Sequence, residues 1–442
     1  MNTVHAQYAW LGGETCASNV RITVEHGLIS TLEIDVQPRF GDERITGVVM
    51  PGLINSHSHA FHRSLRGRTQ AGLGDFWAWR NLMYEVANRL TPENYLPLAT
   101  AVFSEMALAG ITGVGEFHYL HHQPNGTAYT DPNEMGHVVI EAARRAGIRL
   151  ALLDVAYLHS GLDASGVLDE QRRFSDLSIE KWLARLDRLG RGDAMHTIGL
   201  APHSVRAVHP NELEQIAANR NDRVVHIHVS EQPSENDECR TATGRTPTQV
   251  LADSGLLGSF TTAVHTTHLD ADDIALLGLS KTTVCFCPTT ERDLADGIGP
   301  SYDLVRAGSP LALGTDSHAV IDMFEEARAV EMHQRLVTGR RGIHRSSELL
   351  EAATVNGAQS LGWKNHGLVV GAPADFLAIS LESTRLATFD SVNGAAHLVL
   401  SASADDVRDV WVGGEQIVAN HVHRGFTNVA DELRTAVSAV LK

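Results

Sequence analysis

With 442 residues the chain is too long for one small domain and suits a barrel of about 250 to 350 residues plus an accessory domain. Hydrophobic residues at 43% and charged residues at 20% describe a globular chain with a sizeable core and exclude a disordered or fibrous one. A formal net charge of -17 argues against nucleic acid or an acidic membrane as partner, because both demand basic patches. An anionic substrate would have to be held by local arginines, which screening over about 8 to 10 Å allows.

Residues 1–48 include VRITVEHGLISTLEI, where polar and apolar residues alternate around a Gly turn, and this predicts strands rather than helices. The opening MNTVHAQYAWLGGE has no basic stretch followed by an apolar one, and no run of about 18 apolar residues occurs, so a soluble cytoplasmic enzyme is expected. From there, short apolar runs stop at polar or ionisable residues. They are GVVMPGLINSH (47 to 57), TGVGEF (112 to 117), RLALLDVAY (149 to 157), TIGLAPH (197 to 203), VVHIHVSE (224 to 231), TAVHTTH (262 to 268), TTVCFCP (282 to 288) and PLALGTDS (310 to 317).

Helical stretches separate these runs, at 92 to 110, 132 to 147, 210 to 220 and 270 to 279, several opening on Pro or Asp and closing at Gly. Apolar strands alternating with amphipathic helices predict a parallel sheet, and eight such units close into a (β/α)8 TIM-type barrel over 49–365. Residues 366–442 return to period two before a last helix, VADELRTAVSAVLK. Residues 1–48 and 366–442 are therefore expected to form one small β-sandwich domain from both chain ends. Cys16, Cys239, Cys285 and Cys287 show no C-x-x-C spacing, and the last two read as core packing.

Catalytic groups of such a barrel belong at the strand C-termini. His57 and His59 share one face of the first strand, and His228 and Asp316 end the fifth and eighth runs. Three nitrogen ligands and one oxygen suit Zn²⁺, one per subunit. Glu231, three residues beyond His228, falls at the rim beside the metal as a proton shuttle. Of His265 and His268, the one inside the strand should face the mouth; His268 reads as capping or support, and His121 and His122 as surface or supporting residues. Arg206, just beyond His203 after the fourth run, can fork two donors onto a carboxylate. Arg80 in FWAWRNLMY lies where aromatics could pack a lid, only one of His118 and Tyr119 can face the substrate, and Arg292 and Asp296 either close the site or pair with each other.

Taken together, PGLINSHSH, HVSEQ, the His of the sixth strand and GTDS resemble the mononuclear deaminase branch of the amidohydrolase superfamily along essentially the whole chain. Binuclear members carry a bridging Lys on strand four, which TIGLAPH lacks. HSHAFHR, DFWAWRNLMY, EFHYLHH, APHSVRAV, HIHVSEQ and PTTERDLADGIG look like the formimidoylglutamate deiminases of histidine degradation. That resemblance implies zinc on His57, His59, His228 and Asp316, and proton transfers by Glu231, His265 and Asp316. It also implies substrate contacts from Arg206, Tyr119 and His203, with Arg80 a further candidate. His62 departs from the pattern, which has Gln there in some relatives. The expected reaction is hydrolysis of N-formimidoyl-L-glutamate, a small dicarboxylate, to N-formyl-L-glutamate and ammonia, in a homodimer. The alternatives are deamination of a purine, pterin or adenosine-like ring, or a barrel that has lost catalysis and serves as a binding module.

Overall fold

A computed structural model describes residues 2–70, 76–163 and 165–442. The first four strands are β1 (Asn2–Ala9), β2 (Ala17–Glu25), β3 (Leu28–Glu33) and β4 (Glu43–Pro51). The next eight are β5 (Leu53–Ser58), β6 (Ile111–His118), β7 (Arg149–Ala156), β8 (His196–Pro202), β9 (Val225–Val229), β10 (Thr261–His265), β11 (Thr283–Phe286) and β12 (Leu311–Leu313). The chain ends with β13 (Phe376–Ile379), β14 (Val407–Val412), β15 (Glu415–Ala419), β16 (Val422–His423) and helix Val429–Leu441.

Strands β5 to β12 pair in sequence order, each parallel to the next, and the intervening helices supply the crossovers. This is the expected (β/α)8 barrel. Its strands are buried nearly throughout; every residue of β6, for instance, is inaccessible, as a strand covered on both faces requires. The expected helices also form, as Pro92–Leu108, Glu134–Ala146, Pro210–Asn219 and Ala271–Ser280. Gly147 closes the second of these in the left-handed region at φ 75°, and the Asp270 side chain caps the fourth by accepting from Asp273 N.

The terminal strands make one eight-stranded sheet in the order β16-β15-β14-β13-β4-β1-β2-β3. The two ends of the chain meet where β13 runs antiparallel to β4, with Leu377 opposite Met50. A separate apolar core forms around Val4, Ile22, Ile45, Phe376 and Trp411, the last two rings stacked at 4.8 Å.

Two of the apolar runs are interrupted. The run 47 to 57 is not one strand, because its first half belongs to β4 and its second to β5. The turn sits at Gly52, whose α-carbon lies so close to the Thr112 side chain that a Cβ would collide with it. Nothing in the hydrophobic pattern marks that change of sheet; only the Pro-Gly pair hints at it. In the eighth run the strand stops at Leu313, and Gly314–His318 form a turn with Asp316 and His318 at φ 42° and 59°.

That turn completes the barrel. Asn55 on β5 donates through Nδ2 to Thr315 Oγ1 at 2.7 Å and accepts from Thr315 N at 3.0 Å. Asp316 N donates to His57 O, and His59 N donates to Asp316 O. Thr315 Oγ1 and Ser58 Oγ hold the two ring nitrogens of His318 at 2.9 and 3.1 Å. Asn55, Ser58, Thr315 and His318 are all fully buried. Asn55→Leu removes both bonds while keeping the branched shape of the side chain and leaves the Thr315 N–H buried without an acceptor, a loss of about 2 to 4 kcal/mol. A urea titration followed by fluorescence is expected to show the midpoint falling accordingly, and an unchanged midpoint would remove this role.

Candidate active site

The C-terminal ends of the barrel strands leave extended geometry at the residues that matter chemically. Ser230, His265, Thr266 and Asp316 take φ values of 53°, 69°, 51° and 42°. Non-glycine residues adopt that region at a cost, and the surrounding hydrogen bonds hold them there.

His57, His59, His228 and Asp316 converge, with one ligand atom from each lying within 4.8 Å of all the others. His57 Nε2 and His59 Nε2 lie 3.3 and 3.2 Å from Asp316 Oδ1, and His57 Nε2 faces His228 Nε2 at 3.0 Å. The opposite ring nitrogens explain the orientation. His59 Nδ1 donates to Phe117 O and His228 Nδ1 to His203 O, each at 3.1 Å, which directs both Nε2 lone pairs into the cluster. Burial pushes the His57 pKa down to about 3 and that of His228 well below 6.5, so both imidazoles are neutral. Burial would raise Asp316, but the imidazoles of His57 and His59 beside it outweigh that and hold the carboxyl well below its usual range. Three imidazoles and one carboxylate on a common point fit a divalent ion with nitrogen preference.

The cluster forms the floor of a cleft of about 610 Å³. Glu231, at the end of the loop after β9, lies on its wall with the carboxylate 3.8 Å from His265 Nε2. His265 ends β10, and its Nε2 is also 4.0 Å from Asp316 Oδ2. Burial acts to lower the pKa of His265, but Glu231, Glu291 and Asp316 together raise it well above 6.5.

The cleft is also lined by Tyr119, His203, Arg206 and Arg80. Tyr119 Oη and His62 Nε2 are hydrogen-bonded at 2.8 Å, and the His62 ring stacks on His59 at 4.6 Å. His62 thus lies in the cleft wall, linking a metal-cluster imidazole to Tyr119. Burial holds the Tyr119 hydroxyl well above its usual pKa, which keeps it a donor. Burial and then the Arg206 charge hold His203 well below 6.5, which keeps it neutral. Arg206 has no ion pair among the described residues, and its buried Nε has no acceptor. Arg80, on helix Phe76–Arg89, donates to Tyr84 Oη at 2.8 Å.

The expectations for the residues around the cluster have different outcomes. His121 and His122 are buried rather than at the surface, because the chain after β6 turns inward: His121 Nε2 reaches Val155 O, and His122 Nε2 reaches Asp176. Of the pair after β6, Tyr119 faces the cleft, while His118 packs against His121. His268 supports a loop, through Nε2 to Asp296 O at 2.7 Å. Arg292 and Asp296 do not pair: Arg292 binds Glu325 at 2.9 Å, and Asp296 accepts from Gln232. In the aromatic segment, Trp79 meets His62 edge-on at 5.3 Å. Asp75 and the side chains of Phe76 and Trp77 lie outside the described residues.

Tyr84, from the aromatic segment, also lines the cleft, as do Tyr157 and Phe174, to which the sequence reading gave no role. Gln171 Nε2 donates to both tyrosine hydroxyls, at 2.9 and 3.0 Å. Isolated aromatics between strands carry no spacing signal, so only the fold brings them together.

Residues 48–417 match the model of the amidohydrolase family. The chain is 36% identical to the formimidoylglutamate deiminase of Pseudomonas aeruginosa, over 96% of each chain. It is 33% identical to an 8-oxoguanine deaminase of the same organism, over 89% of this chain and 88% of that one. Among solved structures, an amidohydrolase from Brucella melitensis superposes with a TM-score of 0.90 at 33% identity, covering all of both chains.

Metal analysis of purified protein, stripped with chelator and reloaded, is expected to return about one divalent ion per chain. His228→Ala should weaken that binding by more than the roughly 10- to 100-fold cost of losing an outer hydrogen-bond partner. Unchanged stoichiometry and affinity in His228→Ala would place the ion elsewhere.

Proposed function

This chain belongs to the amidohydrolase family and hydrolyses C–N bonds, and from that premise we propose that its substrate is N-formimidoyl-L-glutamate, converted to N-formyl-L-glutamate and ammonia. The observation that carries the substrate is Arg206, a half-buried guanidinium in the cleft wall whose buried Nε has no hydrogen-bond partner and which forms no ion pair among the described residues. In a chain of net charge -17 acidic partners are abundant, so leaving this arginine without one leaves a place for an anion. Arg80, Tyr119 and His203 around it supply further donors for two carboxylates.

The donor set fits zinc, held by His57, His59, His228 and Asp316. Bound there, zinc would make water acidic enough to act as a nucleophile near neutral pH. Glu231 accepts the proton of the attacking water and passes it to the terminal nitrogen. The new C–O bond forms at the formimidoyl carbon as the bond to that nitrogen breaks and ammonia leaves. His265 and Asp316 orient the attacking water; Asp316 takes its remaining proton and returns it through Glu231 to the same nitrogen, which then leaves as ammonia. Arg206, with Tyr119, His203 and Arg80, holds the glutamyl carboxylates and so fixes the carbon over the cluster, which contributes orientation rather than chemistry.

A purine-like ring is the second reading, favoured by the aromatic walls of Trp79, Tyr84, Tyr157 and Phe174. Ammonia release from N-formimidoyl-L-glutamate, 8-oxoguanine and adenosine separates the two. Arg206→Met is expected to lower kcat/KM on the dicarboxylate by about two orders of magnitude, since two charge-assisted bonds contribute about 3 kcal/mol or more. A ring substrate would be nearly indifferent to that change. Glu231→Gln is expected to keep its metal and lose about 10²- to 10⁴-fold in kcat; near-normal turnover would exclude Glu231 as the proton carrier.

A further inference from the structure

Glu291 sits in helix Pro288–Asp293, directly after β11, within the PTTERDLADGIG segment, and the proposed reaction gives its carboxylate no role. It is 2% exposed, a costly place for an acid without a partner. Its Oε1 accepts from Cys287 N at 2.8 Å, which folds the side chain back toward the barrel. From there the same oxygen lies 3.5 Å from His265 Nδ1, at ion-pair distance. Nδ1 has no other partner among the described residues, and His265 itself is 1% exposed. The opposite nitrogen, Nε2, is the one that faces Glu231 and Asp316.

An imidazole presents a defined nitrogen only when its other nitrogen is fixed, and a buried carboxylate behind Nδ1 does this by keeping the proton there. We propose that Glu291 is a positioning residue that fixes the ring orientation and Nδ1 protonation of His265. Nε2 is thereby turned into the cleft, where His265 meets the reacting water. The Cys287 amide determines which oxygen does this, since its N–H anchors Oε1 between the two groups. Glu291 does not itself line the cleft and acts only through His265. The assignment rests on the role given to His265 in the proposed reaction, and not on the identity of the substrate.

The Cys287 contact also makes the two substitutions informative in different ways. In Glu291→Gln the amide oxygen can still accept from both Cys287 N and His265 Nδ1, so only the charge is lost. Glu291→Leu loses both acceptors. We expect Glu291→Leu to lower kcat about 10- to 100-fold with KM within about twofold and metal content unchanged, and Glu291→Gln to recover most of that loss. In a His265→Asn background, Glu291→Leu should cost less than about twofold further, because the group it acts through is gone. A Glu291→Leu loss that persists in full beside His265→Asn, or that follows a fall in metal content, overturns the proposal.

A second readout needs no turnover. With ¹⁵N-labelled histidine, the His265 ring signals, identified by their disappearance in His265→Asn, should report a protonated Nδ1 in the wild type. They should shift in Glu291→Leu and stay near wild type in Glu291→Gln; His265 signals unmoved by Glu291→Leu also overturn the proposal. The cycle is run on whichever of the three compounds the wild type hydrolyses, so a ring substrate would sink the dicarboxylate reading and leave Glu291 to be judged on its own.

Discussion

The active site depends first on the seam between β5 and the turn after β12. The metal cluster takes two imidazoles from one side of that seam and a carboxylate from the other, so its geometry is only as good as the closure. Asn55 makes the joint rigid by donating to and accepting from the same residue, Thr315, immediately before Asp316. His318 extends it to Ser58, and Ser58 Oγ in turn donates to Glu116 at 2.5 Å. Glu116 accepts from Ala60 N as well, and burial pushes its pKa up to about 7. Buried polar groups satisfied on every side specify one arrangement, because any shift would strand several of them at once.

Charge is then distributed against the trend of the whole molecule. The chain is strongly acidic, yet Arg80 and Arg206 line the same cleft as Glu231. Acid and base functions are separated by which partners each group meets. His57 and His228 are desolvated and neutral, whereas His265 is ringed by three carboxylates. A dicarboxylate would be attracted by the arginines and worked on at the floor.

The roof of the cleft comes from packing outside the barrel strands. Helix Phe76–Arg89 brings Trp79, Arg80, Met83 and Tyr84 over the cluster. The turn Asp169–Phe174 grips it from below: Gln171 binds Tyr84, Phe174 packs against Tyr84 and Tyr119, and the buried Arg173 donates to the carbonyls of Ala87 and Leu90 near the helix end. Two crossover segments far apart in sequence thus shape the volume in which a substrate must fit.

The amino-acid pattern was sufficient for the barrel, since eight apolar runs broken by amphipathic stretches have few ways to bury both faces of a parallel sheet. It was sufficient for the convergence of His57, His59, His228 and Asp316 too, because H-x-H on a strand and acids or imidazoles at strand ends must meet at one mouth. Alternation along β6 also favoured one of His118 and Tyr119, though not which one. What local pattern could not contain was anything decided between segments. The change of sheet at Gly52 turns on the approach of Thr112, the burial of His121 and His122 on the path after β6, and the separation of Arg292 from Asp296 on Glu325 and Gln232. Glu291 behind His265, and Gln171 between two tyrosines, are contacts across crossovers of different strands. Periodicity reports which face of an element is buried; which distant residue it is buried against is set only when the tertiary structure closes.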